Sequence, residues 1–144
     1  MANTQAQFGF QHYGYLPGGA ADYQLSKYQI QSSYATKIYF GDPVIKSAAL
    51  GGAWGPYIKP ATAGTAAGGT SIVGIFYGCQ YTPTGGTPTW SPWFPASVGA
   101  DATAYVIDAP NALFRVASLL TATPATAIGN NIGYSTGAGG STVG

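Results

Sequence analysis

Apolar and polar positions alternate in short runs along this chain, and Gly or Pro closes almost every run. In residues 34–40, Tyr34, Thr36, Ile38 and Phe40 fall on one side and Ala35, Lys37 and Tyr39 on the other. That two-residue period predicts a half-buried strand. Gly41, Asp42 and Pro43 end it, because Asp and Pro favour a turn and Pro has no N–H for a ladder. A strand resumes over 44–47, glycines at 51, 52 and 55 interrupt, a short apolar piece occupies 57–59, and 61–69 reads as a loop of small residues. The run SIVGIFYGCQY at 71–81 is the most hydrophobic and the richest in β-branched and aromatic residues, so it is expected as the central strand. Gly74 and Gly78 within it mark a bulge or a close backbone approach. A turn-rich loop at 82–89 leads to Trp90, Trp93 and Phe94, which Pro92 and Pro95 place at an edge or rim. Residues 102–108 then form a strand, 109–111 a turn and 112–118 the return strand, with Phe114 and Val116 on one side and Arg115 on the other.

The first 28 residues carry Phe8, Phe10, Tyr13, Tyr15, Leu16 and Tyr23 among glycines and Pro17, with no sustained period. Each Gly costs a helix about 1 kcal/mol relative to Ala, so residues 1–28 are expected as an extended N-terminal arm. A single helical turn near 22–28 is the one local alternative. Large apolar side chains on an arm must bury on its own domain or on a neighbouring copy. After Leu120 the composition thins into Thr, Ala and Gly, Asn130 and Asn131 suit a tight turn, and 136–144 reads as a flexible Gly-, Ser- and Thr-rich tail. Between arm and tail, residues 29–135 make a β-domain. With no run at the helical steps of three and four, the fold class is all-β, a small antiparallel barrel or sandwich of about seven short strands.

Charge narrows the function. Only 6% of the 144 residues are charged, against roughly 25% in an average soluble domain. The surface is therefore solvated by hydroxyls, amides and backbone. Lys27, Lys37, Lys46, Lys59 and Arg115 stand singly, so no groove that neutralises successive phosphates is expected, and no nucleic-acid partner with it. The apolar runs near 72–79 and 113–120 fall well short of the ~20 residues that span a bilayer, so no membrane partner is expected either. A net charge of +1 gives little repulsion between copies and favours association. The 11 Tyr, 6 Phe and 3 Trp are enough for one core and argue for order in spite of 22 Gly and 10 Pro.

The chemical inventory is thin. Cys79 is the single cysteine, which removes an intramolecular disulfide, a CxxC pair and a zinc cluster, and a buried thiol is expected. Acid–base chemistry usually calls for His or a pair of carboxylates, and the one histidine, His12, lies on the expected arm, a loose platform for catalysis. No GxSxG elbow is present, and the Gly-rich segments lack the Lys and the strand–helix setting of a phosphate loop. Asp42 and Asp108 sit in proline turns, where Asp bonds the turn backbone. A non-enzymatic protein with no catalytic residue, no cofactor and no metal is therefore expected. Trp54, Trp90 and Trp93 could stack on sugar rings, yet acids are scarce around them, and packing in a core or an interface explains them better.

Three runs resemble a known family. KIYFGDPV at 37–44, IVGIFYG at 72–78 and AYVIDAPNALFRV at 104–116 resemble the decoration, or cement, proteins of tailed bacteriophage heads, over about half of the chain. That family often carries an acidic pair before the proline and an acidic residue after the phenylalanine, where Ala109 and Arg115 stand here. The resemblance implies a viral structural protein on the outer capsid surface that binds and stabilises the major capsid protein, often as a trimer, with turns at 41–43 and 108–110 shaping the β-domain. On this reading the interface comprises Phe8, Phe10, Tyr13, Tyr15 and Tyr23 of the arm together with Trp90 and Trp93, and the partners are the major capsid protein and other copies of the chain. Two alternatives stay open: a self-assembling tail, fibre or filament subunit whose arm adds a strand to the next copy, and a carbohydrate-binding β-module.

Overall fold

The structure, a computed structural model, describes residues 9–48, 54–61, 72–117 and Ile128. All regular structure among these residues is β: β1 (Gln11–Tyr15), β2 (Gly19–Ala20), β3 (Ser26–Ile30), β4 (Pro43–Ala48), β5 (Trp54–Pro60), β6 (Ile72–Tyr81), β7 (Thr89–Ser91), β8 (Ala102–Ile107) and β9 (Ala112–Arg115). Ala102, Ala104 and Val106 alternate with half-buried neighbours along β8, as one inward face requires. β8 lies between β3 and β6, antiparallel to both. β6 is long enough to share its other edge, pairing with β4 near its start and with β7 near its end. β4 runs antiparallel to β5, and β5 meets β3 in a parallel pair at Gln29 and Tyr57. The circuit β4-β5-β3-β8-β6 thus returns to β4 and closes a five-strand barrel, which leaves those strands few open edges. β2, β1 and β9 form a separate three-stranded sheet.

The barrel interior holds Ile30, Val44, Ile58, Phe76, Cys79, Ala104 and Val106. Ile38, Phe94 and Val98 join them from irregular segments. These segments are tied together by the bridge between Ile38 and Phe94 and by the Ser97 and Val98 amides, which donate to the carbonyls of Tyr34 and Ser32. The turn at 41–43 fastens the small sheet to the barrel. Gly41 donates to the Phe76 carbonyl, and its own carbonyl accepts the Phe10 amide. Its φ of +85° and the 2.9 Å that would separate an added Cβ from the Gly9 backbone leave glycine as the unstrained choice.

Several expectations need correction. Residues 34–40 do not form a strand: Tyr34 donates to Gln31 in a turn, and pairing is confined to the one bridge at Ile38, whose neighbours Thr36 and Lys37 lie in solvent. The alternation there came from a single buried anchor. The strand after the 109–111 turn stops at Arg115 and pairs with β1, not with β8. From Gly9 onward the expected arm carries β1, β2 and β3, and the boundary drawn at residue 28 falls inside β3, whose Tyr28 pairs with Ala104 in the barrel. The helical turn near 22–28 gives way to that strand. β1 and β3 escaped the sequence pattern because their partners β9 and β8 lie far along the chain, and β2 because it is only two residues long. The expected tail at 136–144 and Asn130 and Asn131 lie outside the described residues.

Candidate interaction surface

The small sheet owes its two faces to a bulge. His12 pairs with Phe114 and Gly14 with Leu113, so Tyr13 is the extra residue of β1. The register places His12, Tyr15, Ala112 and Phe114 on one face and Gln11, Leu113 and Arg115 on the other.

The inner face is a chain of rings. His12 is 8% exposed and lies 4.8 Å from Tyr15, 5.4 Å from Tyr23 and 5.5 Å from Phe114, centroid to centroid. Phe10 meets Phe114 edge-on at 6.3 Å, Tyr23 continues to Tyr77 of β6 at 5.6 Å, and Phe40 closes on Tyr77 at 5.5 Å. Such edge and tilted pairs add about 0.5–1.5 kcal/mol each beyond area burial, so the rings bolt the sheet onto the barrel. His12 Nε2 donates to the Gly14 carbonyl at 3.1 Å, while Nδ1 is buried without a partner. Tyr23 reaches this position with φ +52°, a conformation few non-glycine residues adopt.

The outer face is different in kind. Tyr13 is 69% exposed and Leu16 60%, while half-buried Leu113 lies on the face that Gln11 and Arg115 share. Leu16 is held in place from both sides of its peptide: its amide donates to the Asn111 carbonyl at 2.9 Å, and Asn111 Nδ2 donates to its carbonyl at 3.3 Å. Arg115 is exposed, and its Nε donates to Gln11 Oε1 at 3.1 Å across the strand pair.

The expected interface residues therefore separate. Phe8 lies outside the described residues. Phe10 and Tyr15 turn to the ring chain, and Tyr15 also donates its hydroxyl to Asp22 at 2.7 Å. Tyr23, 45% exposed, spans both roles, and Tyr13, at 69%, is the most exposed of the arm residues described. Trp93 stacks on Tyr39 at 6.4 Å beneath the Lys37 ammonium, 5.7 Å from the ring centroid. Trp90, on β7 at the edge of barrel strand β6, is exposed, with its ring over Gly78, where an added Cβ would come within 3.0 Å of the indole. Leu16 and Arg115 were not among the expected interface residues. The signal for Leu16 was its place before Pro17, Gly18 and Gly19, a turn that must sit at the surface.

Neutral donors satisfy the carboxylates. Asp22 accepts from Tyr15 and from the Gln24 amide, Asp101 from the Ser32 amide and Tyr57, Asp108 from Ser26 and Tyr28, and Asp42 from the Tyr39 amide. The Tyr15 hydroxyl, ahead of the Gln24 amide, holds Asp22 below the usual carboxylate range, and the Ser32 amide, ahead of Tyr57, does the same for Asp101. Burial pushes the Cys79 thiol up to about 12, and the thiol donates weakly to the Trp93 carbonyl at 3.6 Å. Among the described residues no three His, Cys, Asp or Glu side chains gather where they could hold a metal ion. No family model, no curated protein and no solved structure matches this chain.

Proposed function

We propose that the chain is a non-enzymatic capsid decoration protein of a tailed bacteriophage. On this reading it sits on the outer surface of the shell, binds the major capsid protein and neighbouring copies, and stabilises the lattice. The observation that carries the reading is the exposure of Tyr13 in β1 and of Leu16 just after it, large apolar side chains held in solvent by a small sheet that rings and backbone bonds fasten to a closed barrel. Large apolar side chains fixed outward supply roughly 1.5–3 kcal/mol each when a partner covers them, and symmetry repeats that gain at every copy. The resemblance of the runs at 37–44, 72–78 and 104–116 to phage head proteins supports the same reading, as does a surface with so few charges.

The test is occupancy of purified phage shells that lack the protein. Added wild-type chain should sediment with the shells to saturation and raise their melting temperature. The double variant Y13A/L16A should keep its own fold and lose at least about tenfold in affinity, since 1.4 kcal/mol is a factor of ten. Growth of the chain alone into filaments, with no uptake by shells, would turn the reading to a self-assembling subunit.

A further inference from the structure

We infer that the outer face of β8, β6 and β7 binds a neutral glycan, with Trp90 as the ring it stacks on and Gln80, Thr103 and Tyr105 as the groups that bond its hydroxyls. Ala102, Ala104 and Val106 fill the barrel side of β8, so Thr103 and Tyr105 between them face outward. The register carries that outer face across two more strands: Thr103 pairs with Gln80 and Tyr105 with Gly78 of β6, and Gln80 pairs with Trp90 of β7. The neighbours that point inward, Cys79 and Ser91, are buried. Trp90 is 55% exposed, yet its ring is seated: the six-membered part of the indole lies over Gly78, in the space a side chain would fill. Gln80 is exposed, Thr103 and Tyr105 are half-buried, and among the described residues none of the four has a side-chain hydrogen-bond partner.

The chemistry of this patch selects its occupant. A pyranose with equatorial hydroxyls has C–H groups on its faces and donors and acceptors around its rim, so it needs a flat apolar ring and neutral groups that both donate and accept. An indole beside an amide and two hydroxyls is such a set. Trp93 is taken up within the chain by Tyr39 and Lys37, so packing accounts for that indole and not for Trp90. A protein contact has a core of several large apolar side chains, whereas Trp90 is the one exposed large hydrophobic in this patch. A nucleic-acid strand would stack on the same ring but needs successive cations, and the register brings only Lys27 near, across from Tyr105 on β3. The carboxylates at the two ends of β8 are engaged elsewhere, Asp101 by Ser32 and Tyr57 and Asp108 by Ser26 and Tyr28. With neither sign of charge concentrated there, an uncharged sugar chain fits better than a sulfated one.

The test is an NMR titration of the full chain with cellohexaose and, separately, with chitohexaose; sorbitol, a polyol without a ring face, is the control. The Trp90 indole N–H and the Gln80 side-chain amide should shift together and saturate with at least one hexasaccharide, while the Trp93 indole stays in place and sorbitol moves nothing. W90A should lose the response, and Q80A should weaken it about twofold to tenfold, as the loss of one hydrogen bond does. Both variants should melt within about 2 °C of wild type, since both side chains stand at the surface. If W90A fails to fold, the wild-type shifts and Q80A decide. No shift at Trp90 with either sugar up to about 10 mM, where a Kd of 1 mM is close to saturation, overturns the inference, and so does a response that survives in W90A. A stronger response to a heparin hexasaccharide that salt removes would mean capture by lysines and overturn the neutral ligand. Loss of shell uptake in W90A, with a wild type that ignores both sugars, would put Trp90 against the capsid protein and overturn it too. Y13A/L16A should keep the sugar response whatever happens to its shell uptake, so the glycan site and the decoration reading fail separately.

Discussion

At the scale of single residues, the acids of this chain act as hydrogen-bond acceptors for the fold, and they differ in the sign of what they contribute. Asp22 and Asp101 ionise more readily folded than unfolded, so their contribution is present above the ordinary carboxylate value of 3.8 and fades as pH falls through their lowered values. Both are largely solvent-exposed, and the contribution is small. Asp42 has the opposite sign. Burial raises its carboxyl above 3.8 against the pull of the Tyr39 amide, so the folded state holds the proton more tightly and ionisation costs stability. That cost is absent below 3.8, grows as pH rises toward the raised value and is constant beyond it. Asp42→Asn keeps an oxygen for the Tyr39 amide and removes the charge. It should melt a few degrees above wild type at pH 7 and level with it at pH 3, in a calorimetric series across that range. A variant that melts lower at pH 7 would mean that the Asp42 charge stabilises the turn.

At the scale of elements, the molecule has one part held by a closed barrel and one part held by rings. Phe114 is the hinge pin of the second, facing Phe10 and His12 from β9. Phe114→Ala should cost about 2–3 kcal/mol, below the 3–5 of a fully buried Phe because Phe114 is half-buried. The loss should be local: amides of β1 and β9 should exchange hydrogen faster while those of β6 and β8 keep their protection. Phe76→Ala, in the middle of the barrel, should instead lower the protection of every strand. This division explains which elements were legible in the sequence. β4, β6 and β8 are dense in apolar residues and bury them against one another, so the 44–47, 71–81 and 102–108 runs announce them. β1 and β9 meet across about a hundred residues of chain, and their apolar positions read as an arm and as a return strand because the pattern records that a face is buried, not against what. The 34–40 alternation misled for the same reason: Ile38 is buried by Phe94 and not by a ladder. Among the interface residues, Phe10, Tyr13 and Tyr15 look alike in sequence, and a regular period of two would set Tyr13 and Tyr15 on one face; the bulge between His12 and Gly14 turns Tyr15 to the ring chain and leaves Tyr13 in solvent.

At the scale of the whole molecule, the separation of charge from stability sets apart what holds the fold and what would hold a partner. Hydroxyls and amides meet every carboxylate, Lys37 lies over an indole and Arg115 lies against an amide, so attraction between unlike charges contributes little to folding. Raising the ionic strength from about 0.01 M to about 0.15 M shortens the screening length from about 30 Å to about 8 Å. The melting temperature of the free chain should move by less than about 2 °C over that interval, which is under about 1 kcal/mol for a chain of this size. A salt-sensitive melting temperature would mean that charge pairs forming in solution carry part of the fold.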